Sequence, residues 1–233
     1  MGHVWNGMKL LLKRPQLWPA AAAPLILASI AYLVTLFSGF WTVVPRMKEF
    51  AAQLGAPDAL GWVTSTSLFA LLWALVSGPL FLVAFCTVAV FAWDKLSKGV
   101  ETAVNGTAPG GKLSFGQLIG DISLRVGFAV MAGVTIVVLG FLGLGYVGAV
   151  IAGWMMLYDL TAATYARRGL TALGQAGRVH KCRGWVGFWL SGAVVSLVPG
   201  INVLLLPVFV TGATLMVVES ERMAADQTQS SVE

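Results

Sequence analysis

The sequence predicts an all-α integral membrane protein with two transmembrane helices, two re-entrant helical hairpins that penetrate the bilayer only in part, and an N-terminal interfacial helix. Four stretches of the chain contain no charged residue, and each is longer than the roughly 20 apolar residues that span a bilayer: 17–44, 59–93, 126–158 and 184–218. Charged residues make up only 11% of the chain, whereas a soluble domain has about 25%. The Lys and Arg residues cluster between these stretches, and such clusters stay on the cytoplasmic side.

The N-terminal segment, residues 1–15, is predicted to form a short helix in the membrane interface. Its apolar residues recur at helical spacing: Val4, Met8, Leu11 and Leu12. Lys9 and Lys13 lie elsewhere around the turn, as in an interfacial helix. Residues 16–44 follow as the first transmembrane helix. Its apolar run is longer than the h-region of a signal peptide, so it is expected to be an uncleaved anchor with the N-terminus in the cytoplasm.

Residues 59–106 are predicted to form the second transmembrane helix with an amphipathic extension. The weakly basic segment before it, 45–58, can be translocated. Two later segments are strongly basic, and their cations are Lys95, Lys98, Lys112 and Arg125, then Arg167, Arg168, Arg178, Lys181 and Arg183. Both are expected to be cytoplasmic, yet a single crossing by 126–158 would place one of them outside. Residues 114–168 are therefore predicted to form a re-entrant hairpin.

Glycines predict the turn of this first hairpin, because residues 140–148 read GFLGLGYVG. Glycine costs about 1 kcal/mol in a helix interior relative to alanine and is well suited to a turn. Each apolar arm then has roughly 14 residues, or about 20 Å, which is shorter than the hydrocarbon core of roughly 30 Å. The alternative role of these small residues is close helix packing through Gly145, Ala149 and Gly153.

Residues 185–218 are predicted to form a second hairpin, which follows a basic linker, 169–184, and precedes an acidic tail, 219–233. Pro199 and Gly200 lie at the centre of the apolar stretch and are expected to break its helix. A broken helix at membrane depth is tolerated only where protein or water satisfies its backbone.

Three blocks of residues carry a resemblance to a known family. The first is Leu17, Trp18, Pro19, Pro24 and Leu25; the second is Phe91, Asp94, Leu96, Ser97, Val100, Glu101 and Gly106; the third is Pro199, Gly200, Ile201, Asn202, Pro207, Val208, Gly212, Ala213 and Thr214. In this order they resemble the CysZ-type sulfate permeases and their relatives, the etoposide-induced membrane proteins. The resemblance implies two full transmembrane helices, two partly penetrating hairpins, homo-oligomers of two or more subunits, and sulfate transport. It also implies an anion site at a Gly-Leu-Arg turn, which falls here on Gln16, Leu17 and Trp18 without the arginine.

The candidate substrate-binding residues surround the start of the first transmembrane helix: Lys13, Arg14, Gln16, Leu17 and Trp18. Free N–H groups and the dipole at a helix start favour an anion, and Gln16 can donate a further hydrogen bond. The alternative is that Lys13 and Arg14 only contact lipid headgroups.

Three residues elsewhere are candidates for a vestibule or pore. Arg167 and Arg168 could select anions if they converge in an oligomer, or they could simply contact headgroups. Asn202 is placed at the tip of the second hairpin, where its alternative role is to cap a broken helix. Asp94 and Asp159, each at the end of an apolar stretch, are expected to be solvated, with a part in a relay as the alternative, and His180 is expected to lie in a loop.

The favoured function is passage of a small inorganic anion, sulfate or a related oxyanion, through a homo-oligomer in a bacterial-type inner membrane. The alternative is a non-transporting membrane-organising or interaction protein whose basic loops bind anionic membrane lipid. No catalytic, metal-ligand or phosphate-loop spacing occurs, so no enzyme activity, cofactor or metal is expected. Nucleic acid is not an expected partner, because the basic residues lie beside apolar segments. Cys86 and Cys182 are expected to be unpaired thiols.

Overall fold

The computed structural model describes residues 2–55, 57–111, 113–198 and 201–230, and these ranges are helical apart from short turns. The helices are α1 (Gly2–Lys13), α2 (Trp18–Gln53), α3 (Asp58–Asn105), α4 (Phe115–Phe141), α5 (Gly145–Ala166), α6 (Ala172–Val179), α7 (Trp185–Ser196) and α8 (Ile201–Ser230), with a 3₁₀ turn at Pro15–Leu17. No strand occurs in these ranges. The segments long and apolar enough to cross a membrane include Pro15–Gln53, Phe115–Phe141, Gly145–Ala166 and Val203–Ser230. The prediction of an all-α, multi-pass membrane protein is confirmed.

The chain divides into two compact units. The smaller unit, Ala22–Ala92, contains most of α2 and the first part of α3. Its two helices pack through aromatic rings, with Tyr32 and Trp73 centroids 5.5 Å apart and the Trp73 indole donating to the Tyr32 hydroxyl at 3.1 Å. Helix α2 continues through Pro45 to Gln53, beyond the predicted end at residue 44. The helix is longer than predicted because a charge-free stretch marks only the part of a helix that lies in hydrocarbon. The hydrogen-bonded helical backbone can continue beyond it into water.

The larger unit consists of Met1–Ala21 and Trp93–Glu233. Within it, α4 and α5 form the first predicted hairpin. Helix α4 begins with a capping box in which Ser114 and Gln117 satisfy each other's backbone N–H groups. The turn after Phe141 contains Gly143 at φ +74°, a conformation that glycine adopts without steric cost. The helices have 27 and 22 residues, so the partial penetration of this hairpin remains a prediction.

The segment predicted as a basic linker, 169–184, contains the two-turn helix α6, which was not predicted. Ala172, Gln175 and Val179 recur at helical spacing and are buried. The Gln175 amide donates to the Tyr158 carbonyl and to the Thr161 hydroxyl, both at 2.6 Å. The helix therefore forms because it buries one face against α5, while Leu173 and Arg178 are exposed.

The segment predicted as the second hairpin contains α7, which ends at Ser196, and α8, which begins at Ile201; its partial penetration remains a prediction. Pro199 and Gly200, the predicted breakers, lie outside the described residues. Helix α8 continues to Ser230, so much of the segment predicted as an acidic tail, 219–233, is helical. Near its polar end Arg222 donates to the Val104 carbonyl at 2.8 Å, while residues 224–230 are exposed.

Helix α1 forms as predicted and packs against α8. A Cβ atom at Gly7 would lie 2.7 Å from the backbone nitrogen of Gly212 and 2.7 Å from the carbonyl oxygen of Val208. Only glycine permits this approach of the two backbones, as in small-residue contacts between membrane helices. The interfacial placement of α1 remains a prediction.

The same close approach joins α5 to α7 and yields a stability prediction. A Cβ atom at Gly153 would lie 2.5 Å from the Ala193 nitrogen and 2.8 Å from the Trp189 carbonyl oxygen. We expect Gly153→Ala to lower the free energy of unfolding by about 1–3 kcal/mol, since overpacking separates the helices. Gly145→Ala is the matched control, because open space surrounds that position on the same helix. Thermal unfolding in detergent checks this, and equal midpoints for the two variants would contradict it.

Candidate functional site

An open basic cleft of about 570 Å³ lies beside the 3₁₀ turn that precedes α2. The residues that line it are Arg14, Gln16, Leu17, Lys95, Lys98, Gly99, Thr102 and Ala103. Three of these residues are cations and none of them is an acid. All belong to the larger unit.

Local sequence explains how this cleft forms. Helix α1 ends where the Arg14 nitrogen donates to the Leu10 carbonyl at 3.0 Å, and Pro15 then starts the 3₁₀ turn. Leu17 turns inward and is buried against Gly99 of α3, where a Cβ atom would lie 2.7 Å from the leucine Cδ2. Glycine at position 99 therefore lets the turn approach α3 and brings Arg14 into one cleft with the α3 lysines.

The α3 wall carries Lys95 and Lys98 on successive turns of one face. Residues three apart on a helix are neighbours, and like charges there repel. Within the described ranges, neither lysine nor Arg14 forms an ion pair with a carboxylate. An anion bound between the three cations would relieve this repulsion, so the cleft is electrostatically suited to a small anion.

The structure brings together some of the predicted substrate-binding residues. Arg14, Gln16 and Leu17 line the cleft. Trp18 is 53% exposed, and its indole N–H donates to the Leu11 carbonyl at 2.8 Å, so that donor is occupied. Lys13 is exposed at the end of α1 and is not among the lining residues.

Sequence reasoning missed Lys95 and Lys98 as members of this site. Their charge was attributed to topology alone, as part of a basic segment after an apolar stretch. Their spacing within an amphipathic extension was the available signal, because it places both on one face of a helix.

Arg167 and Arg168, the predicted vestibule residues, lie in a network of carboxylates. Arg167 donates to Asp94 at 2.6 Å and to Glu101 at 3.0 Å. Arg168 donates to Glu101 at 2.6 Å and to Glu221 at 2.5 and 2.6 Å. The expectation that Asp94 is simply solvated was wrong, because the fold of the larger unit brings α5 beside it.

Burial lowers the pKa of Arg168, but its hydrogen bonds to Glu221 and Glu101 outweigh this, and the net pKa lies above the usual value. The guanidinium is therefore charged at any physiological pH. Carboxylates, the Ser97 hydroxyl and the Thr164 carbonyl already accept from these two arginines, so in this subunit the pair is suited to joining helices rather than to holding an anion.

Hydroxyl groups extend this network between three helices. Ser97 of α3 accepts from Arg167 at 2.6 Å and shares a hydrogen bond with Thr164 of α5 at 2.8 Å. Thr214 of α8 donates to the same Ser97 oxygen at 3.0 Å. The network thus fixes the end of α3, which carries the two cleft lysines, against α5 and α8.

Two other predicted positions are only partly described. The side chain of Asn202 lies outside the described residues, as does that of Cys86.

Cys182 is a buried free thiol 3.2 Å from the Tyr165 hydroxyl, as expected. His180, expected in a loop, follows α6 directly and packs on Trp154 at 4.8 Å between ring centroids.

Comparison with protein families decides the identity of the chain. The family described as Sulfate transporter CysZ/Etoposide-induced protein 2.4 matches residues 3–207. The chain belongs to this family. The match runs from α1 into α8, so it includes the cleft and both arginines of the network, Arg167 and Arg168, and it confirms the resemblance predicted from the sequence. No curated protein and no solved structure matches the chain. The CysZ/Etoposide-induced protein 2.4 family is of a transporter type and not of an enzyme type.

Proposed function

We propose that this protein conducts a small divalent oxyanion, sulfate or a close relative, across the membrane. The observation that carries the proposal is the basic cleft, in which Arg14, Lys95 and Lys98 converge without an acidic lining residue. Membership of a sulfate-transporter family supplies the substrate class.

The chemistry of the cleft suits weak anion binding. A hydrogen bond to a charged partner contributes about 1.5–3 kcal/mol. Arg14, Lys95, Lys98 and Gln16 can each donate such a bond, while the Thr102 hydroxyl already donates to the Lys98 carbonyl at 2.9 Å. The cationic side chains are exposed. Conduction requires binding that is favourable enough for entry and weak enough for release, which exposed lysines provide.

The cleft also accounts for the missing arginine of the family's Gly-Leu-Arg turn. Trp18 occupies that position, and its indole N–H already donates to the Leu11 carbonyl. Lys95 and Lys98 restore the positive charge from the neighbouring helix, and Arg14 supplies a guanidinium three residues before the turn's leucine, Leu17. Anion binding is thus supported by a different set of cationic side chains.

The proposal includes an inner-membrane location with the N-terminus in the cytoplasm. The cleft gathers basic residues from the N-terminal segment and from the end of α3, and basic segments stay on the cytoplasmic side. The cleft then opens to the cytoplasm. Transport through a homo-oligomer is part of the proposal, since the family resemblance implies assemblies of two or more subunits.

Flux of labelled sulfate into liposomes containing the purified protein tests this function. We expect Arg14→Gln and Lys98→Gln each to weaken the apparent sulfate affinity roughly tenfold or more, because each removes one charge-assisted contact. Lys13→Gln is the matched control, since it removes the same charge from an exposed position outside the cleft. Arg14→Lys should retain more affinity than Arg14→Gln, because it keeps the charge.

Two outcomes separate the site from the function. If the parent protein shows neither binding nor flux above protein-free liposomes, for sulfate and for other divalent oxyanions, the transport proposal fails and the membrane-organising alternative replaces it. If flux is normal in the parent and in both cleft variants but lost in a folded Arg167→Gln variant, transport stands and the cleft is not its site.

A further inference from the structure

A second cavity, of about 170 Å³, lies between α4, α5 and α6. Its walls are mostly apolar, and the residues that line it are Leu124, Arg125, Phe128, Trp154, Met155, Tyr158, Asp159, Ala172, Leu173 and Ala176. None of them belongs to the basic cleft. The cavity therefore has no part in the proposed anion site.

Asp159 is the unusual member of this cavity. It lies within Gly145–Ala166, a segment long and apolar enough to cross a membrane, and its side chain is exposed. Among the residues that the structure describes, no side chain forms an ion pair with it. A carboxylate at such a position is costly in lipid and indicates a functional partner.

The charges around the cavity determine the sign of that partner. Arg125 donates to Asp121 at 2.7 Å and to Gln175 at 2.7 Å, and the Ala172 backbone N–H donates to the other Asp121 oxygen. Arg125 is thus paired with Asp121, and Asp159 is the charged lining group that has no ion-pair partner among the described residues. The complementary group is a cation.

Aromatic walls fit a cation as well. Phe128, Trp154 and Tyr158 present three rings to the cavity, and ammonium groups bind to the faces of such rings. Two of these rings are held in place by His180, which lies 4.8 Å from Trp154 between centroids and shares a hydrogen bond with the Tyr158 hydroxyl at 3.1 Å. The aromatic surface is therefore formed before a ligand arrives.

The surface around the cavity favours a lipid as the source of the cation. Leu173 is 70% exposed and Phe128 is 46% exposed, so the rim is apolar, and Phe128 lies in the candidate membrane span Phe115–Phe141. Charged side chains at the ends of apolar helices lie near the headgroup level. A ligand that combines an ammonium group with an acyl chain matches both features.

We propose that this cavity binds the primary ammonium headgroup of a zwitterionic phospholipid, of the phosphatidylethanolamine class. The ammonium donates to the Asp159 carboxylate and lies against Trp154 and Tyr158. The lipid phosphate lies toward Arg125, whose Nη1 donates to no described residue. The acyl chains follow the apolar rim past Phe128 and Leu173.

Native mass spectrometry of the full-length protein tests this inference, after equilibration with equal amounts of phosphatidylethanolamine and phosphatidylglycerol that carry identical acyl chains. We expect the parent to retain phosphatidylethanolamine in roughly tenfold preference, the effect of one charge-assisted contact. Asp159→Asn should reduce the ratio to about one, and Asp159→Glu should restore most of it because the charge returns. Asp226→Asn is the matched control, since Asp226 is an exposed carboxylate outside the cavity.

Retained helicity and an unchanged elution volume establish that each variant is folded. Trp154→Leu is a second variant, which changes no charge and should also reduce the preference for phosphatidylethanolamine. Equal retention of the two lipids by the parent would overturn the inference, as would a preference that survives both Asp159→Asn and Trp154→Leu. Competition by free ethanolamine at millimolar concentration would show that the cavity takes a soluble amine instead of a lipid. None of these results depends on sulfate transport.

Discussion

Replacing Glu101 with leucine is expected to lower the free energy of unfolding by about 3–5 kcal/mol, the usual cost of removing one partner from a buried ion pair. Glu101 is fully buried, at 0% exposure, and accepts from Arg167 at 3.0 Å and from Arg168 at 2.6 Å. Without it, two largely buried guanidiniums share only the peripheral carboxylates Asp94 and Glu221. The loss is large because the two positive charges remain buried and partly uncompensated.

Thermal or denaturant unfolding in detergent measures this loss. Glu101→Gln should be intermediate, because the amide oxygen still accepts a hydrogen bond but has no charge. Glu49→Gln is the matched control, since Glu49 is exposed and forms no ion pair within the described ranges. A midpoint for Glu101→Leu equal to that of the control would show that the network does not stabilise the larger unit.

Helix type and most helix boundaries followed from the sequence because charge-free stretches and turn residues act locally. Ser114 and Gln117 form a capping box at the predicted start of the first hairpin, and Gly143 adopts the left-handed turn conformation within the predicted turn. Both effects depend on neighbours a few residues away. Local chemistry of this kind can be read from a single sequence.

The helical structure of two charged segments was not predicted, because charge was taken as the sign of a solvated linker or tail. Helix α6 lies in a predicted linker, and α8 continues through a predicted tail. Arg168 and Glu221 form an ion pair with each other, so neither charged side chain has to lie in a solvated loop. Pairing between distant segments is not visible in the spacing of one sequence.

The candidate cleft was predicted in part for the same reason. Arg14 and Gln16 are local to the start of the first transmembrane helix, where a helix terminus favours an anion. Lys95 and Lys98 join them only because Gly99 admits Leu17 at close range. That contact joins two segments that lie far apart in the sequence, and no pattern in a single sequence indicates it.

A cysteine at the tip of the α4–α5 hairpin is expected to escape a membrane-impermeant maleimide from both sides of the membrane. The tip carries Phe141 at 89% exposure and Leu142 at 67% exposure, with no charged residue between Arg125 and Asp159. A turn that emerges into water would expose these side chains at a cost of about 1.5–3 kcal/mol for each large apolar group. These apolar side chains have no such cost in lipid, so the hairpin tip is expected to stay in the bilayer and the hairpin to penetrate it only in part.

The two open ends of this hairpin should react from the cytoplasmic side only. A Cβ atom at Gly111 would lie 2.5 Å from the Arg167 carbonyl oxygen, so the chain before α4 and the chain after α5 meet at one end. Open space surrounds Gly110 and Gly177, so cysteines there should not disturb packing. Both should label from the same side in a background that lacks Cys86 and Cys182, whereas Leu142→Cys should label only after denaturation.

Each outcome of this labelling experiment selects one topology. Labelling of Leu142→Cys from the outer side, with Gly110→Cys and Gly177→Cys labelled from the inner side, would show that α4 and α5 cross the membrane fully. Their 27 and 22 residues permit such a crossing, so helix length alone does not decide between the two arrangements. Labelling of Gly110→Cys and Gly177→Cys from opposite sides would contradict the hairpin itself, because α4 and α5 are joined by a three-residue turn and their far ends lie together. Protection of the tip, with both open ends reactive from the cytoplasm, is the result that a re-entrant hairpin requires.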